Sequence, residues 1–330
     1  MKPTNDTSAG DVEHAVDVVN ISRRFGRNLA LRDVSLQVPR GSVFGLLGTN
    51  GAGKTTLIRH IMGLLRPQTG HVRVLKRDPV DRPETHLQDI GYMTEEDSLP
   101  GWMVVRDMLE FCESLYKNWD RAYADQLMRQ FDLPADKRLS NLSKGQRARV
   151  GLLAAIAHRP QLLILDEPSS GLDPIARGDI LQAVIRTISQ DGRTVLFSSH
   201  LLEEIERVCD QVAVMNEGRL LETIATSQLQ QRYVELTCMP NETWTAPPDH
   251  QGVVHWDRAG EEWSAILDTS QLEFDSLDQL PAMLPVEWGV HEVRTASMLK
   301  WFSARVDAAW PTVASGSEMT TAAERTGEMP

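Results

Sequence analysis

The stretch Leu46-Leu47-Gly48-Thr49-Asn50-Gly51-Ala52-Gly53-Lys54-Thr55-Thr56 decides the fold. Ser42 to Leu47 is an apolar strand candidate ended by glycines, and Lys54 to about Leu65 reads as a helix. Gly48 to Thr55 fits G-x-x-x-x-G-K-[ST], a motif that works only between a strand and a helix. Its glycines let the backbone curl so that successive N–H groups face a phosphate, and the helix N-terminus adds favourable partial charge. Lys54 is suited to bridge the β- and γ-phosphates of ATP, Thr55 to set its hydroxyl on Mg²⁺, and Thr56 to donate at the helix start.

Further along, Leu162-Leu163-Ile164-Leu165-Asp166-Glu167 is an apolar strand ending in two carboxylates, which a parallel sheet presents at its C-terminal edge. Together with the Lys54 loop the pair divides the work: Asp166 in the Mg²⁺ shell, Glu167 as general base on the attacking water. Val16 to Ile21 begins a strand with a hairpin-like region after it, while Leu162 to Leu165 and Thr194 to Phe197 are short buried strands separated by a helix from about Pro174 to Gln190. The alternation implies parallel strands with crossover helices. A helical insertion is expected over 98–159, with apolar residues at three and four spacing around Met108, Phe111 and Leu115 and again at Leu127 and Phe131.

The chain has 330 residues, 41% hydrophobic and 24% charged, enough for a large core. A net charge of -12 speaks against a nucleic-acid partner, since phosphate neutralisation needs a clustered basic excess. Cys112, Cys209 and Cys238 show no metal-ligand or disulfide spacing, which fits a reducing cytosol. The first residues lack the apolar core of a signal peptide, and no apolar run approaches the ~20 residues that span a bilayer. After about Ser227 the composition shifts: six of the eight tryptophans lie there, which points to a separate module. In it a hairpin is expected from Val253 to Trp256 and Trp263 to Leu267, helices over Gln271 to Leu284 and Ala296 to Trp310, and a strand over Val286 to Val293. The expected domains are a disordered tail at 1–14, a main domain at 15–227, an accessory module at 228–310 and a disordered tail at 311–330.

Leu142-Ser143-Lys144-Gly145-Gln146, before a helix-like run, closely resembles the signature of the ATP-binding cassette (ABC) ATPases. Ser143 alone would be only a helix N-cap. The family's other elements follow in order over about residues 16–222. Phe25 resembles the aromatic residue that stacks on adenine, Ser170-Gly171-Leu172-Asp173 resembles the D-loop that meets a partner protomer, and His200 resembles the switch histidine that reaches the γ-phosphate. The resemblance implies an α/β fold: a P-loop NTPase core with an antiparallel β subdomain and helical insertion, here followed by a small C-terminal α+β module. It also implies ATP hydrolysis with Mg²⁺, a homodimer in which each ATP meets the Lys54 loop of one protomer and the Ser143 motif of the other, and a transmembrane permease on another chain. Such a subunit works in the cytoplasm, peripheral on the inner face of the membrane.

Glu95 departs from the pattern, standing where most family members have glutamine. A carboxylate keeps an oxygen for Mg²⁺ but loses the amide donor. Trp102 to Leu109 is a candidate lining for the permease's docking groove, or simply insertion core. The loop at Leu46 to Thr56 and Glu167 to Pro174 are most similar to the ATPases of bacterial ABC-2 type exporters, while an importer subunit or a soluble, non-transport ABC ATPase shares the catalytic motifs.

Overall fold

The computed structural model describes residues 13–94, 99–240, 244, 246–250, 252–272 and 276–308. Glu95 and residues 1–12 and 309–330 therefore lie outside the described residues. Strands β1 (His14–Phe25) and β2 (Asn28–Pro39) pair antiparallel; β3 (Val43–Gly48) enters a second sheet, and α1 (Lys54–Ile61) leads to β4 (Thr69–Val74), which returns to β1. The chain continues through α2 (Pro83–Gln88), β5 (Ile90–Met93), α3 (Val105–Leu115), α4 (Arg121–Gln130), α5 (Lys144–Ile156), β6 (Leu162–Asp166), α6 (Pro174–Asp191), β7 (Thr194–Ser199), α7 (Leu202–Val208), β8 (Gln211–Asn216) and β9 (Arg219–Ala225).

The central sheet has the order β5-β6-β7-β3-β8-β9, parallel except for β9. β3, β6 and β7 are buried at every position, as strands covered on both faces must be, and their sequences VFGLLG, LLILD and TVLFSS read as near-continuous apolar runs for that reason. One face packs with α1 against the β2-β1-β4 sheet, and the other packs against α3, α5, α6 and α7. Register aligns Leu47 with Ser199 and Asp166 with Ser198, so the ends of β3, β6 and β7 share one edge.

The insertion folds as three helices within the expected span. Its apolar stripe sits differently from the reading: Val105, Met108 and Cys112 are buried, whereas Phe111 and Leu115 are more than half exposed. Leu127 and Phe131 are buried as read. Helix α1 stops at Ile61 rather than near Leu65, because Gly63 takes the left-handed conformation (φ 73°) that ends a helix, in close contact with the Pro79 carbonyl. Among the described residues no helix is long and apolar enough to cross a membrane.

Beyond the cassette, α8 (Thr226–Arg232) leads into β10 (Tyr233–Cys238), β11 (Val253–Ala259), β12 (Glu262–Asp268), α9 (Leu280–Met283), β13 (Val290–Thr295) and α10 (Met298–Ala308), with antiparallel sheet order β11-β12-β10-β13. The expected hairpin is present; the boundary expected at 227/228 falls inside α8. Gln271 to Leu284 is not one helix: it holds a short 3-10 turn at Leu277–Gln279 and the single-turn α9, since Pro281 fits only a helix start and Pro285 disfavours helix at Leu284. The strand expected from Val286 begins at Val290, because Val286–Trp288 is a 3-10 turn closed by left-handed Gly289. A Cβ at Gly289 would overlap the Met239 carbonyl.

The module is fastened to the cassette. Tyr233, Met298, Trp301 and Ala304 share the cassette's core with Val208 and Ile224. Beside them Arg232 holds Asp268 at 2.7 Å, Arg305 holds Glu222 of β9 at 2.6 Å, and the Tyr233 hydroxyl donates to Glu222 at 2.8 Å. Burial works to raise the Asp268 carboxyl, but the Arg232 hydrogen bonds and the Ser270 N–H outweigh it and hold it at about 2.

Candidate active site

The loop after β3 is shaped by two glycines. A Cβ at Gly48 would stand 2.5 Å from the Met215 carbonyl oxygen of β8, so the loop can leave the sheet this tightly only without a side chain. Gly53 has φ 106° and a Cβ there would lie 2.8 Å from the Ala30 carbonyl oxygen. Gly53 also precedes α1 without a side-chain cap, and the first-turn N–H groups of Lys54, Thr55 and Thr56 have no intrahelical acceptor by helix geometry. A helix end of this kind favours an anion.

These residues form one wall of an open cleft of about 570 Å³. Thr49, Asn50, Gly51, Ala52, Gly53, Lys54, Thr55 and Thr56 line it, together with Glu167 and Phe25. Phe25 sits at the β1–β2 turn, 43% exposed, with the Arg23 guanidinium 4.7 Å from its ring centroid. An exposed aromatic face at a cleft rim is available to stack on a planar ring.

Lys54 is buried and its Nζ donates to the Gly48 carbonyl at 2.7 Å while standing 2.9 Å from Glu167 Oε1. Asp166 and Glu167 are buried at the end of β6. Ser198 holds both: its hydroxyl donates to Asp166 Oδ1 at 2.7 Å, and the Glu167 N–H reaches Ser198 Oγ at 3.0 Å. Burial pushes the Asp166 carboxyl up, partly offset by hydrogen bonds from Ser198 and Thr55. Glu167 adopts a left-handed backbone (φ 51°), a conformation that costs a non-glycine residue about 1–2 kcal/mol and turns its side chain over the loop. His200 Nδ1 lies 2.6 Å from Glu167 Oε2, and because a carboxylate only accepts, Nδ1 carries the proton.

The structure therefore brings together Gly48 to Thr56, Asp166, Glu167, His200 and, across the cleft, Phe25. The remaining residues lie elsewhere. Leu142 and Gly145 are buried, Ser143 and Lys144 exposed, and Ser143 and Gln146 make a reciprocal capping box at the start of α5, both hydrogen bonds 3.2 Å. Asp173 caps α6 with two 2.9 Å bonds from the Ile175 and Ala176 N–H groups, and Gly171 beside it is exposed. None of Leu142 to Gln146 or Ser170 to Asp173 lines the cleft. Trp102 is 77% exposed, whereas Val105 and Met108 of the same segment belong to the insertion core.

Sequence reading missed Arg32, Glu217 and Gly218, which also line the cleft. The Gly218 N–H donates to the Ala52 carbonyl and the Arg32 N–H to the Gly218 carbonyl, so the β8–β9 turn buttresses the phosphate loop. Asn216-Glu217-Gly218 is legible as a turn, but its place against Ala52 is a tertiary contact with no local signal. Among the described residues no group of three or more His, Cys, Asp or Glu side chains gathers as a metal site.

Comparison with known proteins agrees with this geometry. The profile of the family described as ABC transporter matches residues 31–170. The chain is similar to the bacitracin transport ATP-binding protein BcrA of Enterococcus faecalis, 33% identical over 67% of this chain and 72% of that protein. It is 34% identical to the Nod factor export ATP-binding protein I of Rhizobium leguminosarum bv. viciae over 62% of this chain and 67% of that one. A solved ATP-binding subunit of an ABC transporter covers 66% of this chain and 92% of its own, at 29% identity and TM-score 0.61. The chain belongs to the ABC transporter ATP-binding proteins, the family whose cassettes bind and hydrolyse ATP.

Proposed function

We propose that this chain powers export of a small molecule, drug or lipid through a separate membrane permease, as a cytoplasmic homodimer held to the inner face of the membrane by that permease. The observation that carries the direction is the relative named for Nod factor export, 34% identical over 62% of this chain. A basal test of the partner is co-purification of the tagged chain from membranes with a multispanning protein. Export is tested in inside-out vesicles: ATP-driven accumulation of the compound supports it, ATP-driven loss supports import, and co-sedimentation with ribosomes or DNA instead of a membrane protein sinks the transport reading.

Adenine stacks on Phe25, and the triphosphate lies along Gly48 to Thr56 against the α1 N-terminus. Phosphate oxygens compete with Glu167 for the Lys54 ammonium, and the exchange leaves Glu167 free to take a proton from the attacking water. Thr55 and Asp166 offer a hydroxyl and a carboxylate already hydrogen-bonded to each other, a hard-oxygen pair that suits Mg²⁺. They are the residues that would hold it, and the chemistry it would supply there is neutralisation of the triphosphate's charge. His200 fixes the Glu167 carboxylate through Nδ1–H and reads the γ-phosphate. Because Ser143 to Gln146 and Ser170 to Asp173 stand outside the cleft, they serve the partner's ATP in a two-fold symmetric homodimer.

A further inference from the structure

Helix α7 carries an anomaly: Glu204, 2% exposed, lies in the same buried helix face as Ile205 and Val208. A carboxylate there is expensive to bury unless its oxygens are used. Glu204 Oε2 accepts the Ser199 hydroxyl at 2.7 Å, and Ser199 Oγ in turn accepts the Leu201 N–H at 3.0 Å. Ser199 and Leu201 are the two neighbours of His200. Glu204 Oε1 faces Arg177 Nε at 3.5 Å, and Arg177 sits in the first turn of α6, directly after the Asp173 cap. A chain of contacts thus runs from α6 through Glu204 into both flanks of His200, and from His200 to Glu167 at 2.6 Å.

We infer that Glu204 is a positioning residue for hydrolysis: by clamping Ser199 and, through it, the Leu201 N–H, it fixes the backbone on which His200 is presented to Glu167, with Arg177 tying that clamp to α6. Glu204 is not among the residues lining the nucleotide cleft; it acts through His200. A hydrophobic residue at this place would fill the space at least as well, so the acid is explained by the hydroxyl it orients. The inference rests on the reading of His200 as part of the hydrolytic machinery.

The test measures steady-state ATPase kinetics of the full chain in Glu204→Ala, Glu204→Gln, Ser199→Ala, His200→Ala and the double variant His200→Ala/Glu204→Ala, with affinity for a fluorescent ATP analogue as a separate readout. Misplacing a reacting group by about 1 Å costs on the order of 100-fold, so Glu204→Ala and Ser199→Ala are expected to lower kcat roughly 10- to 100-fold with KM and analogue affinity within about twofold. Glu204→Gln keeps an acceptor for Ser199 and stays within about threefold of wild type. In the His200→Ala background the removal of Glu204 costs nothing further, because both act on one element. A kcat near wild type in both Glu204→Ala and Ser199→Ala, beside a slow His200→Ala, overturns the inference alone. If Glu204→Ala does not fold, Ser199→Ala decides the same question. Additive losses in the double variant assign Glu204 a purely structural part and also overturn it. A fast His200→Ala overturns the reading beneath it.

Discussion

At the scale of single residues, the site separates binding from chemistry. Glu167 is held by Lys54, Ser198 and His200, and replacing it with glutamine keeps shape and acceptor while removing the base. Glu167→Gln is expected to bind ATP normally and to lose roughly 100- to 10,000-fold in kcat, the usual worth of a general base. Lys54→Ala should show the reverse emphasis, a weakened affinity for nucleotide, because the buried ammonium is lost from the phosphate loop. Equilibrium binding of a fluorescent ATP analogue beside turnover separates the two, and near-normal turnover in Glu167→Gln would remove it as the base. These residues were legible in the sequence because a strand, a glycine loop and an acidic pair impose fixed local spacing. Ser198 and Arg32 were not, since each acts by contacting a segment far away in the chain.

At the scale of elements, three buried histidines bond backbone carbonyls, two of them across segments. His60 Nδ1 bonds the Thr56 carbonyl within α1, His86 of α2 bonds the Ile61 carbonyl, and His158 bonds the Ile90 carbonyl while stacking on Tyr116 with centroids 3.8 Å apart. Burial lowers all three below the ordinary 6.5. The unfolded chain therefore takes up protons first, so stability is complete above about pH 6.5 and is lost as pH falls toward the depressed folded values. The melting temperature should drop between pH 7.5 and 5.5, and His86→Gln, which can still donate to Ile61, should drop less steeply. Equal slopes in wild type and variant would dismiss His86 as a source. Element reading from sequence succeeded where both faces are covered and the run is apolar nearly throughout, as in β6 and β7. It failed in Gln271 to Leu284, where the apolar count suited a helix but Pro281 and Pro285 cut it into turns.

At the scale of the whole molecule, cassette and accessory module are distinct in sheet but continuous in core. Trp301 of α10 is fully buried in the cassette's own core. Trp301→Ala is expected to cost about 3–5 kcal/mol and to lower the melting temperature by roughly 10 °C, with turnover per folded chain within twofold of wild type. A chain ending after Arg232 carries the same logic further: every proposed catalytic residue is kept, and the covering of α7 and β9 is lost. If such a chain folds, dimerises with ATP and yet fails to turn over, the module contributes to the site. The tryptophans that marked the module in the sequence have a second consequence. Trp244, Trp256, Trp263 and Trp288 pack with ring centroids 5.0 to 6.4 Å apart, while no tryptophan lines the nucleotide cleft. Indole rings this close couple their electronic transitions, so the module is expected to carry a strong near-ultraviolet dichroism signal. The molecule thus carries an internal optical label in its C-terminal module, set apart from the nucleotide cleft.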